Sequence, residues 1–238
     1  MSVEPARLSS VVLPVYNQGD HIEGVVLSYV EALAALPMPF EVVLVTNACI
    51  DDSAAVCSRL AESMHVVSHV DLEEGGWGRA VKAGLAAAKG DVLCFTNSAR
   101  TTPEFLVVML LYAGVYPEVV LKANRRVRDN WIRRLGSLLY NLECRALFDL
   151  SVWDINGTPK VFPRTFERLL ELRRNDDLID VEFNVVCRRA SYPVVEIPIL
   201  ATVRHGGRAT TNLRSAARLY WGALRLRREL GPEARPAG

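Results

Sequence analysis

The strongest constraint on this chain is an alternation. Short runs of consecutive apolar residues are each followed by a stretch with helical spacing. "LSSVVLPVYN" holds the first run, and Pro14 is expected to end it. "FEVVLV", "HVVSHV", "DVLCFT" and "EVVLKAN" hold later runs. They are continuous rather than alternating, so both sides of each strand need cover. A mostly parallel sheet with helices on both faces meets that need.

The intervening stretches fit this reading. "DHIEGVVLSYVEALAAL" puts Ile22, Val25, Val26, Tyr29, Val30, Leu33 and Leu36 on one helical face. "DDSAAVCSRLAESM" aligns Val56, Leu60 and Met64 behind an acidic start. "GGWGRAVKAGLAAAKG" is a glycine turn opening a helix of small residues. Thr102 is placed to cap a helix whose first position is Pro103. In such sheets ligands bind at the carboxyl ends of the strands. The stretches to read for chemistry are therefore 14–19, 46–52, 71–78 and 96–100.

Beyond Asn124 the character changes. "RRVRDNWIRRLGSLLYNLECR" carries six arginines against Asp129 and Glu143. "WDINGTPKVFPR" is rich in turn formers, "DDLIDVEFNVVCRRASY" reads as a helix, and "PVVEIPILATV" reads as a strand. "RHGGRATTN" is a glycine-hinged polar loop. On the last helix, Leu213–Leu230, helical spacing gathers Arg214, Arg218, Trp221, Arg225 and Arg228 on one side. Residues 1–100 hold 6 Lys/Arg against 12 Asp/Glu, and residues 101–238 hold 22 against 15. This asymmetry points the second half toward an anionic partner. The organisation expected is one domain over residues 1–212, followed by an amphipathic helix and tail over 213–238.

Several chemistries are excluded. No G-x-x-x-x-G-K-[ST] run or G-x-S-x-G elbow occurs. Gly76 and Gly78 supply two glycines of a dinucleotide fingerprint, but position 81 is Val. His65 and His69 are four apart in a predicted strand, where that spacing makes no helical ligand pair, so both read as structural. Five scattered cysteines form no C-x-x-C pair, which fits a reducing, cytoplasmic compartment. No recognition helix or aromatic stacking platform supports a nucleic-acid partner.

Taken in order, these segments resemble family 2 glycosyltransferases of the GT-A fold, in particular the dolichyl-phosphate mannose synthase-like branch. "VVLPVYNQGDHIEGVV" resembles that family's opening strand and loop. "EVVLVTNACIDDS" resembles its second strand and acidic turn, with Thr46 and Asn47 where two aspartates are usual and Asp51 matching a later one. "WDINGTPKVFPR" resembles its D-x-x-S-G-F-K segment, and "RHGGRATTN" its basic loop over the donor diphosphate. Asn97, Ser98 and Ala99 fall at the place of the family's D-x-D.

The resemblance implies a transferase that moves a sugar from a nucleotide donor to a polyprenyl phosphate or a small acceptor. Pro14, Tyr16, Asn17, Asn47, Asp51, Gly76, Gly78, Asn97, Ser98, Arg100, Lys160 and Arg208 are its implied donor contacts. Magnesium and manganese want charged oxygen ligands. Asn97 offers one neutral carbonyl and Ala99 none, so little metal dependence is expected. Arg208, Arg100 and Lys160 are then the candidates to neutralise the diphosphate. Asp180 and Asp154 are the candidate general bases for a hydroxyl acceptor. A phosphate acceptor needs no base, and Arg125, Arg126, Arg133 and Arg134 would bind it. The Arg/Trp face of the last helix suits an anionic membrane surface or a second subunit of a homodimer. The alternatives are a catalytically silent nucleotide-sugar-binding protein and a nucleotidyltransferase of related topology.

Overall fold

A computed structural model describes residues 7–98, 100–125, 131–199 and 213–231, with side chains throughout except at 131–134 and 213–218. Seven strands form one sheet in the order β3-β2-β1-β4-β6-β5-β7. They are β1 Ser9–Val15, β2 Phe40–Asn47, β3 Val67–Leu72, β4 Val92–Phe95, β5 Val120–Arg125, β6 Lys160–Pro163 and β7 Val194–Ile199. The helices are α1 Ile22–Ala34, α2 Ser53–Ser63, α3 Trp77–Ala87, α4 Pro103–Val115, α5 Trp131–Phe148, α6 Ile179–Arg189 and α7 Leu213–Leu230. All pairings are parallel except those of β6, which runs antiparallel to both β4 and β5. The fold is α/β with a mostly parallel sheet, as the apolar runs require.

The helices cover both faces. On one, α1, α2 and α4 bury Val26, Tyr29, Val56 and Leu106 against the sheet. On the other, α3 and α6 bury Val81, Leu85, Ile179 and Phe183. A third cluster joins α5, α6 and α7 through Tyr140, Cys144, Val181, Ala223 and Leu226. The small residues of α3 have a steric cause, since a Cβ on Gly84 would lie 2.2 Å from a methyl of Val12 in β1. Thr102 caps α4 by accepting from the Phe105 amide at 3.3 Å.

Two expectations need correction. Pro14 does not end β1 but lies buried within it, paired with Val45. Val12 accepts from Thr96 on the β4 side, and Pro14, two residues on, faces the same side where β4 has already stopped. Its missing N–H therefore costs no ladder bond. The turn-rich "WDINGTPKVFPR" contains a further strand, β6, whose four residues are all buried. Four residues are too few to display a period.

Candidate functional site

The chain leaves β1 for β2 and β3 on one side, then returns through α3 to β4 on the other. The reversal opens a crevice at the carboxyl ends of β1 and β4, the place where open α/β sheets bind ligands.

Among the described residues, the side of this crevice built by β1, β2 and β3 is held by hydrogen bonds among amides, hydroxyls and carboxylates, with no buried Lys or Arg. Asn47, buried at the end of β2, donates to the Val15 carbonyl at 2.8 Å and accepts from the Gly76 amide at 3.1 Å. Thr46 donates to Asp71 at 2.6 Å and meets Nε2 of His69 at 2.8 Å. Burial holds the His69 imidazole below its ordinary value, against the pull of Asp71. Asn17 takes a left-handed backbone (φ 49°) and accepts from the Ile50 amide at 2.9 Å. Asp51 accepts from Gly19 N at 2.9 Å, Ser53 N at 3.0 Å and Ser53 Oγ at 2.5 Å. What burial there is works to raise its carboxyl, but these hydrogen bonds outweigh it and hold it below the ordinary range.

After β4 the chain turns tightly. Arg100 N and Thr101 N both reach the Asn97 carbonyl at 3.2 Å. Ser98 is buried and donates to Gln18 at 2.6 Å. Tyr29 donates to the Thr101 carbonyl at 2.7 Å and secures the turn to α1.

Toward β6, β5 and β7 the chemistry is different, because charges are buried. The Lys160 ammonium has no exposed side-chain surface and contacts Asp180, which also accepts from Trp77 Nε1 at 3.2 Å. Lys160 lies over the rings of Phe95 and Phe183 at 5.3 and 5.5 Å. Asp154 clamps Arg125 through Nε and Nη2, both at 2.7 Å, and through the backbone amide at 3.0 Å. Glu196 on β7 accepts from Trp153 N at 2.9 Å and Asp154 N at 3.0 Å, so it holds the turn that carries the clamp. Lys122 reaches the Asp154 carbonyl and, at 3.4 Å, Glu196. Burial first, and then the charge of Lys160, lower its ammonium to about 8.

A match to the model of the Glycosyl transferase family 2 spans residues 10–170, from β1 through β6 and the turn after it. The chain belongs to glycosyltransferase family 2. Two curated relatives are undecaprenyl-phosphate 4-deoxy-4-formamido-L-arabinose transferases. That of Sodalis glossinidius (strain morsitans) is 24% identical over 216 residues, covering 89% of this chain and 65% of the relative. That of Serratia proteamaculans (strain 568) is 26% identical over 225 residues, covering 92% and 67%. The chain thus spans about two thirds of the length of these relatives. Among solved structures, glucosyl-3-phosphoglycerate synthase from Mycobacterium tuberculosis, in complex with Mn2+, UDP-glucose and glycerol 3-phosphate, superposes with a TM-score of 0.70 at 18% identity. It covers 93% of this chain and 80% of that one. This likeness confirms the GT-A fold.

The fold brings several of this family 2 member's predicted site residues to one crevice. Tyr16, half exposed, stands with Asn17, Asp51 and Asn97 around the ends of β1, β2 and β4. Others are placed differently from the expectation. Pro14 is buried within β1. The close approach allowed by Gly76 and Gly78 is used by the chain itself, since a Cβ on either would lie 2.4–2.5 Å from the carbonyl oxygens of Asn175 and Arg174. Lys160 faces Asp180 instead of solvent, and Arg125 is engaged by Asp154, so these two expected cations arrive with their own counter-ions. The same pairs occupy Asp180 and Asp154, the two candidate bases. Ala99, Arg126 and Arg208 lie outside the described residues, as do the side chains of Arg133 and Arg134.

A divalent ion does not fit the described donors of the turn after β4. Ser98 spends its hydroxyl on Gln18, and Asn97 brings only a neutral amide. No group of three or more His, Cys, Asp or Glu suited to a metal occurs among the described residues. A cavity of about 240 Å³ lies elsewhere, between α6, Leu150–Val152 and the start of β7, and contains none of the predicted site residues.

Sequence reasoning missed Lys122, Trp77 and Glu196. Lys122 and Glu196 each interrupt an apolar strand run, in "EVVLKAN" and "PVVEIPI". A charge inside a buried strand demands a partner, and the two are paired in register across β5 and β7.

Proposed function

We propose that this protein transfers a sugar from a nucleotide donor, held at the carboxyl ends of β1, β2 and β4, to a phosphate-bearing acceptor. The class of acceptor favoured is a polyprenyl phosphate. One observation carries the reading: both candidate base carboxylates are already paired, Asp154 with Arg125 and Asp180 with Lys160. A hydroxyl acceptor needs a base to take its proton. A phosphate is anionic near neutral pH and needs none. The names of the curated relatives, which specify undecaprenyl phosphate, support this acceptor.

In the reaction proposed, an acceptor phosphate oxygen forms a bond to the anomeric carbon as the bond from that carbon to the donor diphosphate breaks. The nucleoside diphosphate leaves with the electron pair, and attack from the opposite side inverts the centre. Tyr16, Asn17 and Asp51 border the nucleotide. With Asn97, Ser98 and Ala99 standing at the D-x-D position, Arg100 and Arg208 carry the leaving charge. Asp154 engages the Nε and Nη2 side of Arg125 and orients its guanidinium, a fifth of whose side chain is exposed, for the acceptor phosphate. Arg126, Arg133 and Arg134 contribute to the same anion. Trp221, 73% exposed on α7, and Arg225 beside it suit a peripheral seat on anionic membrane. No described helix is long and apolar enough to cross one.

The test is incubation with undecaprenyl phosphate and a panel of UDP-, GDP- and dTDP-sugars, followed by mass spectrometry of the lipid. The expected result is a glycosyl phosphate with release of nucleoside diphosphate. Release of sugar 1-phosphate, with the nucleoside monophosphate passed to the acceptor, identifies a nucleotidyltransferase. Nucleotide binding with no product across the panel identifies a silent binding protein. Arg125→Lys, which keeps a cation for Asp154 but loses the guanidinium fork, is expected to lower lipid glycosylation strongly and to leave nucleotide affinity unchanged.

A further inference from the structure

α4 departs from the pattern of the other surface helices, because it is apolar on every side. "PEFLVVMLLYAGV" has a single charge, Glu104, in its first turn. Leu106, Met109, Leu110 and Ala113 face the core. The opposite side carries Val108 (49% exposed), Leu111 (40%), Tyr112 (36%) and Val115 (68%), and Tyr116 (51%) follows at the helix end. These are spaced at i, i+3, i+4, i+7 and i+8, one continuous stripe. Tyr112 and Tyr116 rest against each other with ring centroids 4.8 Å apart. A helix that is apolar all round is ordinarily covered on both sides.

We propose that the outer face of α4 packs against the same face of a second copy of this protein, around a two-fold axis near Leu111 and Tyr112. This surface is independent of the donor and acceptor reading. Charge argues against a lipid occupant. Neither α1 nor α4 contains a Lys or Arg to draw an anionic bilayer, Glu23 is paired with Arg59, and Glu31, Glu104 and Glu118 add no attraction. α4 also lies on the sheet face away from α6, and it is against α6 that the basic helices α5 and α7 pack. The pattern is self-complementary, since Val108 and Val115 sit symmetrically about the centre of the stripe. In an antiparallel pair each Val108 meets the other copy's Val115. Helices crossing near −50° diverge from a central contact, which leaves Glu104 and Glu118 at the ends in water. The stripe exposes on the order of 400 Å², a size that marks functional patches. Doubled by symmetry it supplies on the order of 800 Å² of apolar area, so with a rim around it the contact falls at the small end of specific interfaces.

Sedimentation velocity of the full chain, without lipid or detergent, tests this against Val115→Arg and Tyr112→Glu. Both positions are open enough to accept the change, and circular dichroism with thermal melting checks that the fold is kept. The wild type is expected to be dimeric at micromolar concentration and to dimerise no less tightly in high salt. Each variant is expected to weaken association by about tenfold or more. A wild-type chain that stays monomeric overturns the proposal. So does a dimer that persists in both folded variants, because it then uses another face. A monomeric wild type whose binding to neutral vesicles is lost in Val115→Arg would reassign the stripe to lipid.

Discussion

The two sides of the crevice solve the same problem with different chemistry. Where β1, β2 and β3 end, amides and hydroxyls tie neighbouring strands together: Asn47 to Val15 and Gly76, Thr46 to Asp71. Toward β5, β6 and β7, buried and partly buried charges are paired: Lys160 with Asp180, Lys122 with Glu196, Arg125 with Asp154. Such hydrogen bonds exchange nearly evenly with water, so the first side costs little to build, and removing one partner costs the desolvation of the groups left behind rather than of a whole charge. A buried ion is tolerated only while its partner stays, so the second side is intolerant of single changes. A frame of buried ion pairs therefore sits on the side proposed for the acceptor. A hydrogen-bonded frame sits on the side proposed for the nucleotide.

Asp180→Ala puts this contrast under the most strain, because it strands the Lys160 ammonium. A loss of about 3–5 kcal/mol in urea unfolding is expected. The double variant Lys160→Met with Asp180→Leu is expected to recover most of it, because removing both charges removes the desolvation cost. If the single change costs no more than an ordinary surface substitution, the pair is not what stabilises this side.

On the other side, Asn47→Ala leaves the Gly76 amide and Val15 carbonyl without their partner. A smaller loss, about 1–3 kcal/mol, is expected in the same assay. A loss equal to that of Asp180→Ala would erase the distinction between the two sides.

A smaller effect is expected from pH. The Lys122 ammonium lies at about 8 when folded, below the 10.5 of an unperturbed lysine. Between those values the unfolded chain binds more protons, so this group makes stability rise as pH climbs from about 8 toward 10.5. Below pH 8 both states are charged and the burial penalty is fully present. Lys122→Met is therefore expected to flatten the stability profile over that window. A profile unchanged by the substitution would show that Glu196 and Asp154 already compensate the charge.

The smallest effect concerns metal. If cationic side chains carry the donor diphosphate, calorimetry with chelator and with manganese is expected to give nearly the same nucleotide affinity. A large gain with manganese would show that a carboxylate outside the turn after β4, Asp51 or Asp71, supplies the ligand. It would also show that the nucleotide side is not neutral in function.

Much of this architecture is legible in the amino-acid sequence. The apolar runs announce six of the seven strands, the spacing of Ile22 to Leu36 announces the buried face of α1, and Thr102-Pro103 announces the start of α4. Asp154, Asp180, Arg125 and Lys160 stand out as chemistry-bearing residues. Their mutual pairing does not show. Twenty residues separate Lys160 from Asp180, and twenty-nine separate Arg125 from Asp154. Nothing local in either stretch marks its partner.

The order of residues is enough to specify the elements, because helical period, strand continuity and caps are properties of a few neighbouring residues and their own backbone. Tertiary packing was needed to bring β6 antiparallel between β4 and β5. It also set Glu196 opposite Lys122 across β5 and β7, and spent the close approach at Gly76 and Gly78 on the chain's own 174–176 segment. The cause is range. Sheet order and the pairing of buried charges follow from which distant segments exclude water together, and a free energy of desolvation belongs to the assembled site rather than to any stretch of chain.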